Sequence, residues 1–257
     1  MKTIHADLSR EIENLEIYPL SDVHIEDKAH NYKALLRWRE EVLAKDNRYV
    51  ILNGDLINNA TRDSVSDVYG ATMTPNEAIN FLVDFLKPLK DRILSVVTGN
   101  HENRTSKTSG IDIMERVCRE LGIESKYSPT AINLFVSFGK SLGRDHRKQI
   151  YSIYHRHGSG GGRKVGAKAN HLEDMMNVID SDVFLMSHTH QAITFRKSFY
   201  RVDYRNRKLT PIEKVFVNTN AWLGYDGYSV SHGYHPPSLK YPVIYLKGVR
   251  KEIEVKL

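Results

Sequence analysis

Five apolar, strand-like runs in this 257-residue chain each end on Asp, Asn or His. Leu15–Leu20 leads to Ser21-Asp22-Val23-His24, Tyr49–Leu52 to Asn53-Gly54-Asp55, and Ile93–Thr98 to Gly99-Asn100-His101-Glu102. Ile150–Tyr154 leads to His155-Arg156-His157-Gly158, and Val183–Met186 to Ser187-His188-Thr189-His190. In open α/β sheets the ligand crevice lies outside the carboxyl ends of the strands. Five such endings can therefore meet in one place although they lie far apart in sequence.

Amphipathic stretches separate the runs. Leu35, Leu36, Trp38, Val42 and Leu43 repeat with a helical period, as do Ala78, Ile79, Leu82, Phe85, Leu86 and Leu89. Thr74, Pro75 and Glu77 predict a capped start for the second helix. Further helices are expected over Ile111–Leu121 and Ala169–Val178. Strands alternating with helices predict an α/β (α+β) fold. Later segments read as antiparallel pairs: Ala131–Phe138 with Lys148–Tyr154, Ile193–Tyr204 with Leu209–Asn218, and Val243–Lys247 with Val249–Lys256 turning at Gly248. These are expected to form a second sheet against the first. The predicted architecture is a four-layer αββα sandwich, two packed mixed sheets flanked by helices, as one domain over residues 1–257.

Charged residues make up 26% and hydrophobic residues 40%, so a core can be built without metal knots or disulfides. Cys118 is the only cysteine. It lies in the periodic set Ile113, Met114, Val117, Cys118, Leu121 and is expected in a core rather than as a thiol nucleophile. Met1–Leu8 lacks the apolar run of a signal peptide, and no stretch is long enough to span a bilayer. The expectation is a soluble, intracellular, cytoplasmic protein with no membrane partner. A net charge of +6 favours acidic substrates without singling out nucleic acid.

The residue types at the strand ends point to metal chemistry. Asp, His and Asn form a mixed oxygen and nitrogen shell that suits manganese, iron, zinc and similar ions. Two ions about 3.5–4 Å apart can stabilise the attacking and leaving oxygens of an in-line displacement at phosphorus. The set contains enough donors for two ions and a carboxylate to bridge them.

Asp22-Val23-His24, Gly54-Asp55, Gly99-Asn100-His101-Glu102, His157-Gly158 and His188-Thr189-His190 resemble, in order, the five motifs of the calcineurin-like metallophosphoesterases. The resemblance runs from about Leu15 to Thr194. It implies that Asp22, His24 and His190 hold one metal, that Asn100, His157 and His188 hold the other, and that Asp55 bridges them. It implies two divalent ions, manganese first, with iron, zinc, nickel or cobalt as alternatives. It also implies that a hydroxide shared by the metals attacks the phosphate of a mono- or diester, with His101 assisting the leaving group. The sequence departs from the family at Asn58, where an Asp is common, and at Ser187, where Gly is usual. Neither removes an implied ligand; both bear on the residues around the ligands, and hence on metal preference.

Each motif alone has a plainer reading. Asp22 and His24 could cap a helix, Asn53-Gly54-Asp55 is a turn signal, and His188 and His190 could be loop residues. The five in order outweigh those readings. His155 competes with His157 for the fourth motif, and the following Gly favours His157. His5, His30, His146 and His171 read as surface residues. Arg104, Arg163 and Lys164 are candidates for holding phosphate oxygens, the last two on the Gly158–Lys164 loop, against surface-ion-pair and turn readings of comparable weight. Residues 220–238 and Asn58–Met73 are expected to shape the substrate site. The substrate is a phosphorylated compound, with nucleotide or nucleic acid among the options. A DNA nuclease of the same family is the alternative function, supported by the basic clusters Arg144–Lys148 and Arg201–Lys208. A non-catalytic scaffold is disfavoured because the ligand pattern and His101 are retained.

Overall fold

Apolar residues in the central strands alternate between two cores, and this alternation builds the layers. In the computed structural model, Leu15 and Ile17 face one core while Tyr18 and Leu20 face another. Ile51 likewise faces away from Val50 and Leu52. Strands buried on both faces read as continuous apolar runs. The structure describes all residues except 63, 65, 67, 144, 226–229, 231, 232 and 234.

The strands are β1 (Lys2–Asp7), β2 (Asn14–Leu20), β3 (Arg48–Asn53), β4 (Ile93–Val97), β5 (Tyr127–Ser128), β6 (Ala131–Phe138), β7 (Gln149–Arg156), β8 (Val183–Met186), β9 (Ile193–Asp203), β10 (Lys208–Asn218), β11 (Val243–Lys247) and β12 (Ile253–Lys256). The helices are α1 (Tyr32–Leu43), α2 (Pro75–Leu86), α3 (Glu102–Ser109), α4 (Ile113–Leu121) and α5 (Val165–Glu173). One six-stranded sheet has the order β12-β11-β2-β3-β4-β5, the other β1-β6-β7-β8-β10-β9. In the first, β2, β3, β4 and β5 are parallel. In the second, β7, β8 and β10 are parallel. Ile51, Leu134, Ile153, Leu185 and Val217 fill the space between the sheets. Trp38, Leu82, Phe85 and Val117 from α1, α2 and α4 cover the outer face of the first sheet. Leu172 and Met175 cover Phe184 and Phe216 on the outer face of the second. This is the expected αββα arrangement.

Local chemistry explains several boundaries. Thr74 and Glu77 form the reciprocal capping box at the start of α2, and Asp112 caps α4 through Glu115 N at 3.0 Å.

Some expectations need correction. The β11–β12 hairpin joins the first sheet, with β11 antiparallel to β2, rather than the second. Strand β7 pairs with β6 in the second sheet as expected, and β8 joins it there, so that sheet supplies two of the five motifs. The fourth helix begins at Val165, four residues before the expected Ala169, and ends at Glu173, before a 3₁₀ turn over Asp174–Asn177. Its exposed first turns carry no apolar stripe from which a period could be read. His30 is not a simple surface residue: its Nδ1–H donates to Val23 O at 2.9 Å, and its buried Nε2 has no partner.

Candidate metal centre

The carboxyl ends of β2, β3 and β4 from one sheet and of β7 and β8 from the other converge at one edge of the sandwich. The chain turns sharply at these tips. Asp22 (φ 49°), His24 (φ 48°), Asp55 (φ 52°), His188 (φ 71°) and His190 (φ 57°) all adopt the left-handed region. Such backbone costs about 1–3 kcal/mol per residue and persists only where surrounding structure enforces it. Here backbone hydrogen bonds enforce it: Val23 N donates to Asp55 O at 2.8 Å, Asp22 N to Gly54 O at 3.1 Å, and Ser187 N to His157 O at 2.9 Å. Gly54 and Gly99 allow the β3 and β4 tips to touch. A Cβ on Gly54 would lie 2.4 Å from Gly99 N, and one on Gly99 would lie 2.0 Å from Asp55 Oδ1. Only a residue without Cβ fits at either place.

Two donor sets result. Asp22, His24 and His190 form one and Asp55, His157 and His188 the other, with ligand atoms within 4.8 Å of one another in each. Asp55 also lies within that distance of His24 and His101, so it stands between the sets. His190 Nε2 is 3.3 Å from Asp22 Oδ1 and 3.3 Å from His24 Nε2. His157 Nε2 is 2.9 Å from Asp55 Oδ2 and 3.2 Å from Asn100 Oδ1, which is 2.7 Å from His188 Nδ1. The structure thus gathers Asp22, His24, Asp55, Asn100, His157, His188 and His190. His155 is set apart. It is fully buried, donates from Nδ1 to Asn53 Oδ1 at 2.9 Å, and accepts at Nε2 from Ser95 Oγ at 2.8 Å. Both its nitrogens are used within the sheets.

Electrostatics follow from this crowding. Burial opposes ionisation of Asp22, yet contact with His190 and the nearby His157 holds its carboxyl below the usual range. Burial likewise opposes ionisation of Asp55, but His157, His101 and His24 outweigh it. Burial, with His101 and His190 close by, drives His24 well below its ordinary value. Burial also depresses His157, but Asp55 overcomes it and raises the ring to about 10. In the protein alone, that imidazolium supplies the positive charge the carboxylate needs. Burial alone pushes His155 down to about 3.

His101 sits beside both sets. Its Nδ1–H donates to Asn58 O at 2.8 Å, and its Nε2 lies 3.8 Å from Asp55 Oδ2 and 3.1 Å from Arg104 Nη2. Arg104 Nη1 donates to Asn58 O at 3.0 Å and to Ser66 Oγ at 2.9 Å. None of its described hydrogen bonds goes to a carboxylate.

Several supporting residues escaped the sequence reading. Glu102, fully buried, accepts four backbone N–H groups, from Asp55, Leu56, Ile57 and Gly99, at 2.6–3.2 Å. Glu26 accepts Asn58 N at 2.7 Å and Asn59 N at 2.5 Å. Ser21 Oγ donates to Asp22 Oδ2 at 2.7 Å and meets Thr219 Oγ1 at 2.6 Å. Asn218 Nδ2 donates to Thr189 Oγ1 at 2.9 Å and Gln191 O at 2.7 Å. A signal for the last group was present: Val215-Phe216-Val217 runs into Asn218-Thr219-Asn220, a sixth apolar run with a polar ending, on a strand parallel to β8.

The centre opens into a cleft of about 1350 Å³, lined by residues that include Arg104, Arg163, Lys164, Lys168 and His101. The loop segment Ser159–Lys164 is exposed, and Gly160–Lys164 lines the cleft. Residues Ala221, Leu223, Gly224 and His235–Ser238 line it too, as do Asn58, Ser66 and Gly70. Tyr228, His232 and Tyr234 of the expected substrate-shaping loop, and Arg144 of the first basic cluster, lie outside the described residues.

A two-sheet sandwich with clustered Asp, His and Asn at its strand tips has the donors of a divalent-metal centre. A family model of the calcineurin-like phosphoesterases matches residues 16–192, and the chain belongs to that family of phosphoric ester hydrolases, which use divalent metals. A search of curated protein sequences gives no significant match. Among solved structures, similarity extends to a conserved Streptococcus pneumoniae protein described as a predicted phosphoesterase, at 14% identity and a TM-score of 0.38, covering 95% of this chain and 90% of that one. It extends also to GAP50, described as the anchor in the inner membrane complex of Plasmodium, at 10% identity and a TM-score of 0.46, covering 95% and 84%. No described helix is long and apolar enough to cross a membrane.

Proposed function

We propose that the cluster is a dinuclear centre hydrolysing a phosphate mono- or diester. Asp22, His24 and His190 would hold one ion and Asn100, His157 and His188 the other, with Asp55 shared. The carrying observation is the donor spacing. Ligands sharing an ion at bonds of about 2.1 Å sit roughly 3.0–3.4 Å apart, and His190 Nε2 is 3.3 Å from both Asp22 Oδ1 and His24 Nε2. Asp22 Oδ1 and His24 Nδ1 are buried without a hydrogen-bond partner, which a cation at this place would relieve for the carboxylate. The mixed oxygen and nitrogen shell suits manganese, iron, zinc, nickel or cobalt, and the family resemblance puts manganese first. Bound divalent ions supply Lewis acidity toward the phosphate and lower the pKa of water.

The chain's own groups do the rest. Asn58 O fixes the Nδ1–H tautomer of His101, so Nε2 is the atom that takes up and delivers a proton to the leaving oxygen. Arg104, half-buried beside it, holds a non-bridging phosphate oxygen. Arg163 and Lys164 add positive charge at the rim. Hydrolysis of bis-p-nitrophenyl phosphate with added manganese, alongside elemental analysis, tests this reading. Two ions per chain are expected, and His101→Ala should keep both while losing most turnover. A fully active His101→Ala, or an active protein with no bound metal, would refute it.

A further inference from the structure

Resting on that reading of the centre, we infer that the cleft takes a phosphodiester strand, with charged phosphates on both sides of the one cleaved. Six cationic side chains line it: Lys28, Arg104, Arg163, Lys164, Lys168 and Lys240. The side-chain carboxylates among its described lining residues are Asp27 and Asp55, and Asp55 belongs to the centre itself. A single phosphate on the centre would already face two divalent ions and Arg104, which leaves the other five cations of the walls without a role in neutralising it.

The cations are spread over separate elements. Arg104 stands on α3 after β4, on the first sheet's side of the centre, bound to the carbonyls of Asn58 and Asn59. Lys168 stands on α5 after β7, on the second sheet's side, and donates to Thr189 O at 2.9 Å and Gln191 Oε1 at 3.1 Å. Lys164 precedes α5 and Lys240 precedes β11. Neither Lys164, Lys168, Lys240 nor Arg104 has a carboxylate partner among the described residues. A strand laid across the centre would carry its flanking phosphates toward cations on both sheets' sides of it. The volume agrees: about 1350 Å³ exceeds the roughly 300–1,000 Å³ of pockets for single small ligands.

DNA and RNA strands share this chemistry, and the test separates them. The intact protein with manganese is assayed on oligothymidylate, oligouridylate and bis-p-nitrophenyl phosphate between about 50 and 200 mM salt. Three flanking phosphate contacts on a single strand give a loss of about 20-fold in kcat/KM over that range, while the small diester should change by less than about 2-fold. Whichever strand shows the steep dependence identifies the sugar. Combining Lys164→Glu with Lys240→Glu should lower kcat/KM at least ten-fold more on the strand than on the small diester. Parallel salt profiles, equal losses in the variant, or turnover of the small diester with no cleavage of either strand would overturn the inference and leave the phosphoesterase reading standing. Failure on all three substrates with every metal would remove that reading, and the inference with it.

Discussion

Replacing Gly99 by alanine should disable the centre while leaving the fold assembled. The backbone of Gly99 does not lie in the left-handed region, so the obstacle is steric. The new Cβ would lie 2.0 Å from Asp55 Oδ1 and 2.3 Å from Asp55 N, about 1.4 and 1.1 Å short of ordinary van der Waals contact. One of the two obstructing atoms is backbone, and that backbone is tied to Glu102 at 3.0 Å, so it cannot swing away as a flexible side chain would. Asp55 must therefore move by about 1 Å. Displacements of that size at a reacting centre reduce rates by about 100-fold, and overpacking of this kind costs about 1–3 kcal/mol. For a chain of this length that corresponds to a fall in Tm of roughly 2–12 °C. The control is Gly161→Ala, where an added Cβ meets nothing within 4 Å. Bis-p-nitrophenyl phosphate turnover, elemental analysis and thermal unfolding of both variants decide the matter. A Gly99→Ala protein with activity within three-fold of wild type and full metal content would refute the contact between the β3 and β4 tips.

Asp55→Asn should bring metal content close to zero rather than halve it, because the residue stands between both donor sets; retention of one full equivalent by elemental analysis would argue against sharing. Metal uptake at pH 7 should release at least one proton. Asp55 raises His157 to about 10 from an ordinary 6.5 in the metal-free protein, and metal binding requires the neutral ring. Calorimetry in buffers of different ionisation enthalpy reads the proton count. In the metal-free protein the same ion pair stabilises the fold fully below about pH 6.5, and that contribution is lost as pH rises through about 10. His155→Ala should lower stability by about 2–4 kcal/mol, because it strips partners from buried Asn53 and Ser95; urea melts would show it, and metal content of the folded fraction should remain intact.

The layered fold was readable because β2, β3, β4 and β8 are apolar on both faces, and α2 carries its own cap and period. The hidden elements lacked such marks. Strand β1 buries only Ile4. Helix α3 (Glu102–Ser109) contains no apolar residue, and its one buried side chain is the carboxylate of Glu102. Alternation identified the β11–β12 hairpin but cannot say which sheet it joins, since that depends on pairing between Ile17 and Ile244, far apart in the chain. In the site, residues at strand tips were visible as polar endings. The roles of Glu26 and Glu102 were not, because their partners are backbone N–H groups that no side-chain pattern encodes. At the Asn58 departure the side chain stands 3.5 Å from Asp27 Oδ2 and from Ser66 Oγ, while the main-chain carbonyl, which an Asp would supply equally, accepts the hydrogen bond from His101 Nδ1.

The donors come from both halves of the sandwich, which makes their spacing a caliper on the gap between the sheets. Asp22, Asp55 and Asn100 ride on one half, and His157, His188 and His190 on the other. Trimming a distant filler of that gap, such as Leu15 at the start of β2 or Phe138 opposite the start of β7, would let the halves settle closer and so alter a clearance measured at the far edge. Metal affinity therefore reports the state of an interior it never touches, and a change there need not approach the cleft to be felt in it.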